Sequence, residues 1–572
     1  MVLYNSFTRF NPGRYGNKSL AEAAALTCIL VLAAILRFVG LGDLALWTDE
    51  ALTIVLAKWS VGEMLRYPTD PTPFLYYWLH GLLFSPLDSA ARMRSLSVGA
   101  GVLSVALIYV LARLSFNRRI ALFAAALLAV SGSHIAFSQE ARQYSLLFSL
   151  TLLSSIGLVL YARSLDDAAE TEAGRAWARR LGLSLFCLGN VLSWYSHATA
   201  AIWIALTSIM LLGAALAAPD RKARLTEVAL AYGIMAICAV PGLLWILAGY
   251  RYGHEHVEWL QQPGPVQFMS RVAEIYLPRG FWNLPWISGP EERLVIKSVV
   301  AAAGGLGLIA AVVRALPVLK ARFPRHRLAL LLVLSYLAAP VVIWIVGFVS
   351  LPVLLARTVL YSLPGFILLL AILLPAEGKW ALRAPLAILG IYLASTIIEI
   401  PRREKDDYRG AADHLAAHLR AGDVILVCPS YDYPGLRHAT QAVIPAPVLA
   451  VMGDDKILQL EAALGSDLRW DESFHRLVLV PELEARLGAR LGEAPAPSLL
   501  TPGSVWQSLA PGAAVWRFDG RCKDSWSRDD VRTHADRAVN GLTLDPQGGW
   551  RQVSWVDGKL RLQISRYVRA MP

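Results

Sequence analysis

Runs of about twenty consecutive apolar residues recur along the first 400 positions of this chain. Each is long enough to cross the hydrocarbon core of a bilayer. Inside that core every backbone amide must be satisfied within its own segment, so each run has to be a helix. Hydrophobic residues make up 56% of the chain and charged residues 17%, which excludes the several soluble domains that 572 residues would otherwise imply. The pattern gives about eleven spans, near 20–40, 92–113, 119–138, 143–163, 180–196, 198–218, 226–250, 293–315, 328–349, 355–376 and 380–400. The segment 71–87, "PTPFLYYWLHGLLFSPL", is apolar but short and bounded by proline, and it reads as a re-entrant or interfacial helix.

Orientation follows from the positive-inside rule. With the N-terminus inside, alternate loops carry Arg9, Arg14 and Lys18; Arg113, Arg118 and Arg119; Arg163, Arg175, Arg179 and Arg180; Arg221, Lys222 and Arg224; Arg314, Lys320, Arg322, Arg325 and Arg327; and Lys379 and Arg383. The opposite loops are longer in total yet poorer in Lys and Arg. Two of those outer loops are long, 41–91 and 251–292, and residues 401–572 follow an odd number of spans, so they lie outside as well. In a bacterium that side is the periplasm. The net charge of +11 is thereby read as topology and not as nucleic-acid binding.

Past residue 400 the pattern changes. "DDYRGAADHLAAHLRAGDVILVCP" has a helical period through 407–420, a stop at Gly422 and an apolar strand at 424–428, and a further alternation follows. The expectation is a membrane domain over 1–400 followed by a soluble α/β domain over 401–572. Cys28, Cys187 and Cys238 fall in spans. Cys428 and Cys522 fall in the outer tail, where oxidation is permitted, but sequence does not show that they meet. No metal-ligand spacing and no Gly-rich phosphate loop occur in the tail.

Polar residues that call for explanation gather at the outer face. "LWTDEALT", 46–53, places Asp49 and Glu50 side by side against Leu46 and Trp47; Asp70 stands in "YPTDPTPFLYYW". "SQEARQYS", 138–145, holds Gln139, Glu140, Arg142 and Tyr144 in a very short turn between two spans, "WYSHA" carries His197, and "LLARTVLYSLP" carries Arg357 and Tyr361. Each has a bland reading beside its sharp one. Asp49 and Glu50 fit the first turn of a capped surface helix, or a carboxylate whose apolar neighbours raise its pKa until it accepts a proton from a hydroxyl. Arg142 fits a local pair with Glu140, and Arg357 an interfacial anchor; both equally fit an anionic lipid headgroup, because the guanidinium is a fixed fork of donors. His197 by itself reads as an interfacial histidine.

The order of these features resembles a known family: a first span, an outer acidic pair, an Asp before a Pro-rich aromatic stretch, an outer "QEARQY" turn, an outer "YSH" turn, a late "RTVLYSLP" and a soluble outer tail. It is similar to bacterial membrane glycosyltransferases of the C-type fold, GT-C. Within them it looks closest to the branch of protein O-mannosyltransferases and lipid A aminoarabinose transferases. The resemblance implies a periplasmic enzyme of the inner membrane using a polyprenyl-phosphate-linked hexose or pentose. Asp49 would then be the catalytic base or the group that orients the acceptor, with Glu50 beside it in the catalytic motif. Arg142 and Arg357 would lie near the donor phosphate, with Tyr144 and Tyr361 lining the donor pocket. Asp70, Gln139, Glu140 and His197 would be acceptor-binding or supporting residues. The family's His-Pro-Pro stretch is altered, with Thr72 where His is usual and Phe74 in place of the second Pro, which puts in doubt any metal or acceptor role given to that His. A divalent metal is left open, since one acidic pair is not a metal site.

The chemistry agrees with that expectation. A polyprenyl phosphate leaves as an anion that needs positive charge, the acceptor hydroxyl needs a base, and one base opposite the leaving group implies inversion. The acceptor (glycan, lipid or protein) is not legible. The alternative is a transporter or flippase for lipid-linked glycans, which calls for broken helices and polar sites near mid-membrane.

Overall fold

The computed structural model describes residues 12–66, 72–85, 88–165, 171–253, 260–280, 313, 327–375, 377–403, 405 and 407–418, and then ten strands between 424 and 569. They fall into two units, one of 1–41, 94–246 and 260–403, the other of 42–93, 247–259 and 404–572.

The helices in chain order are α1 (Pro12–Phe38), α2 (Thr48–Ala57), α3 (Val61–Arg66), α4 (Leu75–Leu83), α5 (Ala90–Ser115), α6 (Arg118–Ala129), α7 (Gly132–Ser138), α8 (Tyr144–Arg163), α9 (Glu172–Ser196), α10 (Ala200–Ala217), α11 (Arg221–Gly253), α12 (Pro265–Tyr276), α13 (Arg327–Val346), α14 (Leu363–Leu373), α15 (Trp380–Glu399) and α16 (Tyr408–His418). A 3-10 helix, Arg357–Ser362, leads directly into α14. Among the described residues seven helices are long and apolar enough to cross a membrane, eight if α6 and α7 form one span. The apolar runs expected at 20–40, 92–113, 143–163, 198–218, 226–250, 328–349 and 380–400 each coincide with one of the seven. Of the rest, 180–196 is the apolar part of α9, 355–376 is divided between the 3-10 helix and the short α14, and 293–315 lies outside the described residues except for Val313. Within the expected segment 71–87, Leu75–Leu83 form the nine-residue helix α4, too short to span.

In the first unit several basic loop residues pair at one end. At one end Glu22 of α1 pairs with Arg113 of α5 at 3.1 Å and Arg118 of α6 at 3.7 Å, and Arg179 of α9 pairs with Glu227 of α11 at 3.2 Å. There too Arg119 donates to Ala381 O and Arg163 to Leu114 O. Loops assigned to one side by their basic residues thus do converge. Local caps fix several starts: the Asn117 side chain accepts from the amides of Arg119 and Ile120 at α6, and Thr171 accepts from Gly174 at α9. At the opposite end α1 stops at Gly40, whose φ of 68° is the left-handed conformation that glycine adopts at no steric cost.

α8 is the most enclosed span, with 78% of its apolar window buried. It crosses α9 at glycines: a Cβ on Gly157 would lie 2.4 Å from Phe186 N, and one on Gly189 would lie 2.6 Å from Ser154 N. Close backbone approach of this kind is how helices associate where lipid removes the hydrophobic drive. The hydroxyls of α8 are satisfied in place, Thr151 on Phe148 O and Ser155 on Thr151 O and the Tyr336 hydroxyl.

The run expected as one span over 119–138 is instead broken. α6 and α7 meet at 59° across Val130 and Ser131. Breaking a helix frees carbonyls, and the first unit supplies their donors. Arg37 of α1 donates to Leu128 O and Ala129 O at 3.2 Å each, and Thr396 of α15 donates to Val130 O at 2.8 Å. Arg37 is fully buried and its Nη2 also lies 2.7 Å from His134 Nδ1.

The second unit holds α2, α3, α4, α16 and ten strands: β1 (Val424–Cys428), β2 (Leu449–Gly453), β3 (Lys456–Leu460), β4 (Arg469–Trp470), β5 (Leu477–Val478), β6 (Leu499–Leu500), β7 (Ala514–Asp519), β8 (Leu542–Thr543), β9 (Gln552–Val556) and β10 (Gln563–Arg569). Eight of them form a sheet ordered β6-β3-β2-β1-β7-β10-β8, with β9 also on β10. β1 runs parallel to β2 and β7, with Ile425 opposite Leu449 and Trp516, while the β2–β3 and β7–β10 pairs are antiparallel. The strand expected at 424–428 is therefore a central one. Cys522 lies outside the described residues, while Cys28, Cys187 and Cys238 are free thiols.

Candidate functional site

In the second unit the acidic pair opens α2, as the capped-helix reading expects: Thr48, Asp49 and Glu50 are its first turn. Glu50 reaches back to accept the Trp47 amide at 3.3 Å, half of a capping box. Its side chain is fully buried, and the same oxygen receives Lys405 Nζ at 2.7 Å. Lys405 also stands 5.9 Å from the Trp47 ring centroid. Asp49 is only half-buried, and its carbonyl accepts the Thr53 hydroxyl at 3.2 Å. The two neighbouring acids thus differ: Glu50 is an internal ion-pair partner, and Asp49 is the acid with solvent access. Below them Leu46 and Ile54 pack with Ala90 and Met93. Asp70 lies outside the described residues. Thr72, in the place of the family's His, is buried.

On α4, His80 sits between Tyr76 and Phe84, with ring centroids 6.1 and 4.8 Å away. Burial pushes its imidazole down to about 4, against smaller upward effects from the Met93 backbone and Asp88.

The first unit joins most of the remaining candidates through one ring contact and a short run of hydrogen bonds. Arg142 is 4% exposed, its amide donates to Glu140 O at 2.7 Å, and its carbonyl accepts the Ser97 hydroxyl at 3.0 Å. Two residues on, Tyr144 starts α8 and packs its ring edge-on to Phe137 and 6.2 Å from the His197 ring. His197 ends α9, and its Nδ1 lies 2.9 Å from the Thr199 hydroxyl. Thr199 then meets the late motif twice: its hydroxyl donates to Thr358 O at 3.2 Å, and its carbonyl accepts the Tyr361 hydroxyl at 3.3 Å. Thr358 and Tyr361 belong to the 3-10 helix that Arg357 begins. Three turns far apart in sequence, 138–145, 194–199 and 357–362, thereby gather at one end of the first unit.

Trp203 of α10 backs this run, stacked on Tyr336 at 4.1 Å and edge-on to Tyr361 at 6.3 Å. From the loop expected at 251–292 comes α12, opened by Pro265 and capped where the Gly264 amide donates to Gln267 Oε1 at 2.6 Å. Arg271 of α12 donates to Leu354 O just ahead of the 3-10 helix.

A second polar group at this end was not legible in the sequence. Glu399, 5% exposed at the end of α15, receives both Nε and Nη2 of Arg279 at 2.6 Å, with Arg403 Nε 3.7 Å away. Arg403 Nη1 donates to Gln139 Oε1, and Gln139 Nε2 donates to Arg37 O at 2.9 Å and Val39 O at 2.8 Å. Burial pushes the Arg403 guanidinium down to about 10, with Glu399 opposing and Arg279 reinforcing the fall. For Arg279 burial also lowers the value, but the adjoining Glu399 outweighs it and the guanidinium rises. The lone acid Glu399 at the end of an apolar span, and "YLPRG" and "PRREK" outside their spans, were the available signals.

Among the described residues no group of three or more His, Cys, Asp or Glu is placed to hold a metal ion. Asp49 and Glu50 belong to the second unit and Gln139, Glu140, Arg142, Tyr144, His197, Arg357 and Tyr361 to the first.

No sequence-family profile matches the chain, and no curated protein does. Among solved structures it is similar to ArnT from Cupriavidus metallidurans in the apo state, at 16% identity and a TM-score of 0.46 over 96% of this chain and 98% of that one. ArnT bound to undecaprenyl phosphate gives 15% identity and a TM-score of 0.43 over 94% and 97%. The Archaeoglobus fulgidus oligosaccharyltransferase in the apo form gives 14% identity and a TM-score of 0.46 over 75% of this chain and 64% of its own.

Proposed function

We propose that this chain is a membrane glycosyltransferase that moves a sugar from a polyprenyl-phosphate donor to a hydroxyl on an envelope glycan, lipid or protein. What carries the reading is the gathering of the 138–145, 194–199 and 357–362 turns at one end of the first unit, with Arg142 within the first and Arg357 opening the last. Two guanidinium groups match the charge that a departing phosphate develops, and an arginine fork can hold phosphate oxygens in pairs. The enzyme is set in a bacterial inner membrane with this end and residues 401–572 on the periplasmic side. Eleven spans and a soluble α/β tail complete the proposed architecture.

The reaction balances as one displacement. Asp49 takes the proton of the acceptor hydroxyl as the acceptor oxygen forms its bond to the anomeric carbon. The bond from that carbon to the phosphate oxygen breaks, its electron pair leaves with the polyprenyl phosphate, and Arg142 and Arg357 balance the added charge. Configuration inverts. Glu50, held by Lys405 and the Trp47 amide, orients the helix turn that presents Asp49. Tyr144 and Tyr361 wall the donor, and Gln139, Glu140, His197 and Asp70 support the turns and the acceptor.

The broken α6–α7 span favours the second reading, a transporter of lipid-linked glycans. Its freed carbonyls, however, are occupied by Arg37 and Thr396 and hold no exposed polar site. Binding of undecaprenyl phosphate to the purified chain tests the donor assignment. Arg357→Ala and Arg142→Ala should each weaken it about tenfold or more, the worth of one charge-assisted contact. Unchanged affinity in both variants would return these arginines to interfacial anchoring.

A further inference from the structure

The Glu399 cluster lies outside the proposed chemistry, yet it converges on the turn that carries Arg142. Six segments meet there: the end of α1, the α6–α7 break, the 138–145 turn, the residues after α12, the end of α15 and Arg403. Glu399 holds Arg279 with two contacts at 2.6 Å and faces Arg403 at 3.7 Å. Arg403 divides its fork, sending Nη1 to Gln139 Oε1 and Nη2 to Gly132 O at 3.4 Å. Gln139 is then fixed from its other end by two backbone carbonyls of the α1 terminus. A Cβ on Gly132 would stand 2.6 Å from Glu399 Oε2, so the carboxylate occupies room that only glycine leaves.

We infer that Glu399 and Arg403 are positioning residues, which lock the 138–145 turn so that the buried Arg142 is presented in one orientation to an anionic headgroup. The inference rests on the proposed role of Arg142 for its functional consequence, while its geometry stands by itself. Two half-buried cations share Glu399 as their nearest counter-ion, with Glu140 acting on both from further off. Remove that charge and Arg279 and Arg403 repel; Arg403 turns toward water and releases Gln139. The turn keeps the Gln139 Nε2 bonds to the α1 terminus and the Ser97 hydroxyl on Arg142 O at 3.0 Å, but it loses its tie to the Glu399–Arg403 corner. A guanidinium that must meet a phosphate through two parallel bonds does not tolerate that slack.

The test uses the full chain in lipid nanodiscs, with amide hydrogen exchange as one reading and undecaprenyl phosphate binding as the other. Glu399→Gln keeps the shape and removes the charge. Gly132→Ala displaces the carboxylate and changes no charge. Both should speed exchange of the 139–143 amides about tenfold while α8 and α9 amides keep their protection. Both should also weaken undecaprenyl phosphate binding about tenfold, and Glu399→Asp should restore most of each effect. Unchanged exchange in the turn for both variants would overturn the positioning role, whatever the binding shows. Failure of the unaltered chain to bind undecaprenyl phosphate would instead count against the donor reading and leave the exchange result to judge the lock.

Discussion

Removing Lys405 should damage the second unit more than removing the acid it serves. Glu50 is fully buried and Lys405 keeps 16% of its side chain exposed, so the two partners do not suffer equally when left alone. In Lys405→Met the carboxylate keeps the Trp47 amide but loses the ammonium at 2.7 Å, and breaking a buried pair from the charged side costs about 3 kcal/mol or more. In Glu50→Gln the amide oxygen still accepts from Trp47, and Lys405 can swing its ammonium into water; the loss is that of one charge-assisted bond, about 1–2 kcal/mol. The double variant Glu50→Gln with Lys405→Met leaves no buried charge and should recover about 2 kcal/mol relative to Lys405→Met alone. Amide exchange of α2 reads these values as local opening free energies, and 3 kcal/mol corresponds to roughly a 150-fold faster exchange. Equal effects of the two single variants, or less than about 0.5 kcal/mol for Lys405→Met, would refute the buried pair and with it the account of how Asp49 is oriented.

His80 gives a pH dependence. Its imidazole takes up a proton near 6.5 when unfolded but only at about 4 when folded, so the unfolded state binds more protons in between and stability falls as the solution is acidified. Between pH 7.5 and pH 5 the loss should be about 2 kcal/mol, read from α4 exchange or thermal unfolding, and His80→Phe should flatten the slope. Gly157→Val should separate α8 from α9, because its side chain meets Phe186 N at 2.4 Å or less; a thermal shift equivalent to about 3 kcal/mol is expected, against little effect for Gly213→Ala, where nothing lies within 4 Å.

Much of this architecture is written locally, and what is written locally was legible. Apolar length located seven of the expected spans, and the basic turns that hold Arg113, Arg119 and Arg179 meet at one end because each side of a membrane selects its own loops. The capped start of α2 was visible in "WTDE". The break in 119–138 was missed because the run stays apolar on both sides; "SGS" at 131–133 was the only local sign, and a break there needs donors that come from Arg37 and Thr396 in other helices. Pairings of that kind are set by packing and carry no periodicity. Glu50 with Lys405, separated by 355 positions, and Glu399 with Arg279, separated by 120, are of the same type. In the candidate site, the residue types and their order were legible, whereas the bridge through Thr199 and the lock on Gln139 were not, since neither involves a motif.

The reaction itself is tested most directly by incubating the purified chain with polyprenyl-phosphate sugars extracted from its native membranes and measuring free polyprenyl phosphate by mass spectrometry. The account predicts release by the unaltered chain and its loss in Asp49→Asn, with undecaprenyl phosphate still bound by that variant. Sugar lipids carried across a vesicle bilayer without any release of polyprenyl phosphate, or undiminished release by Asp49→Asn, would contradict it.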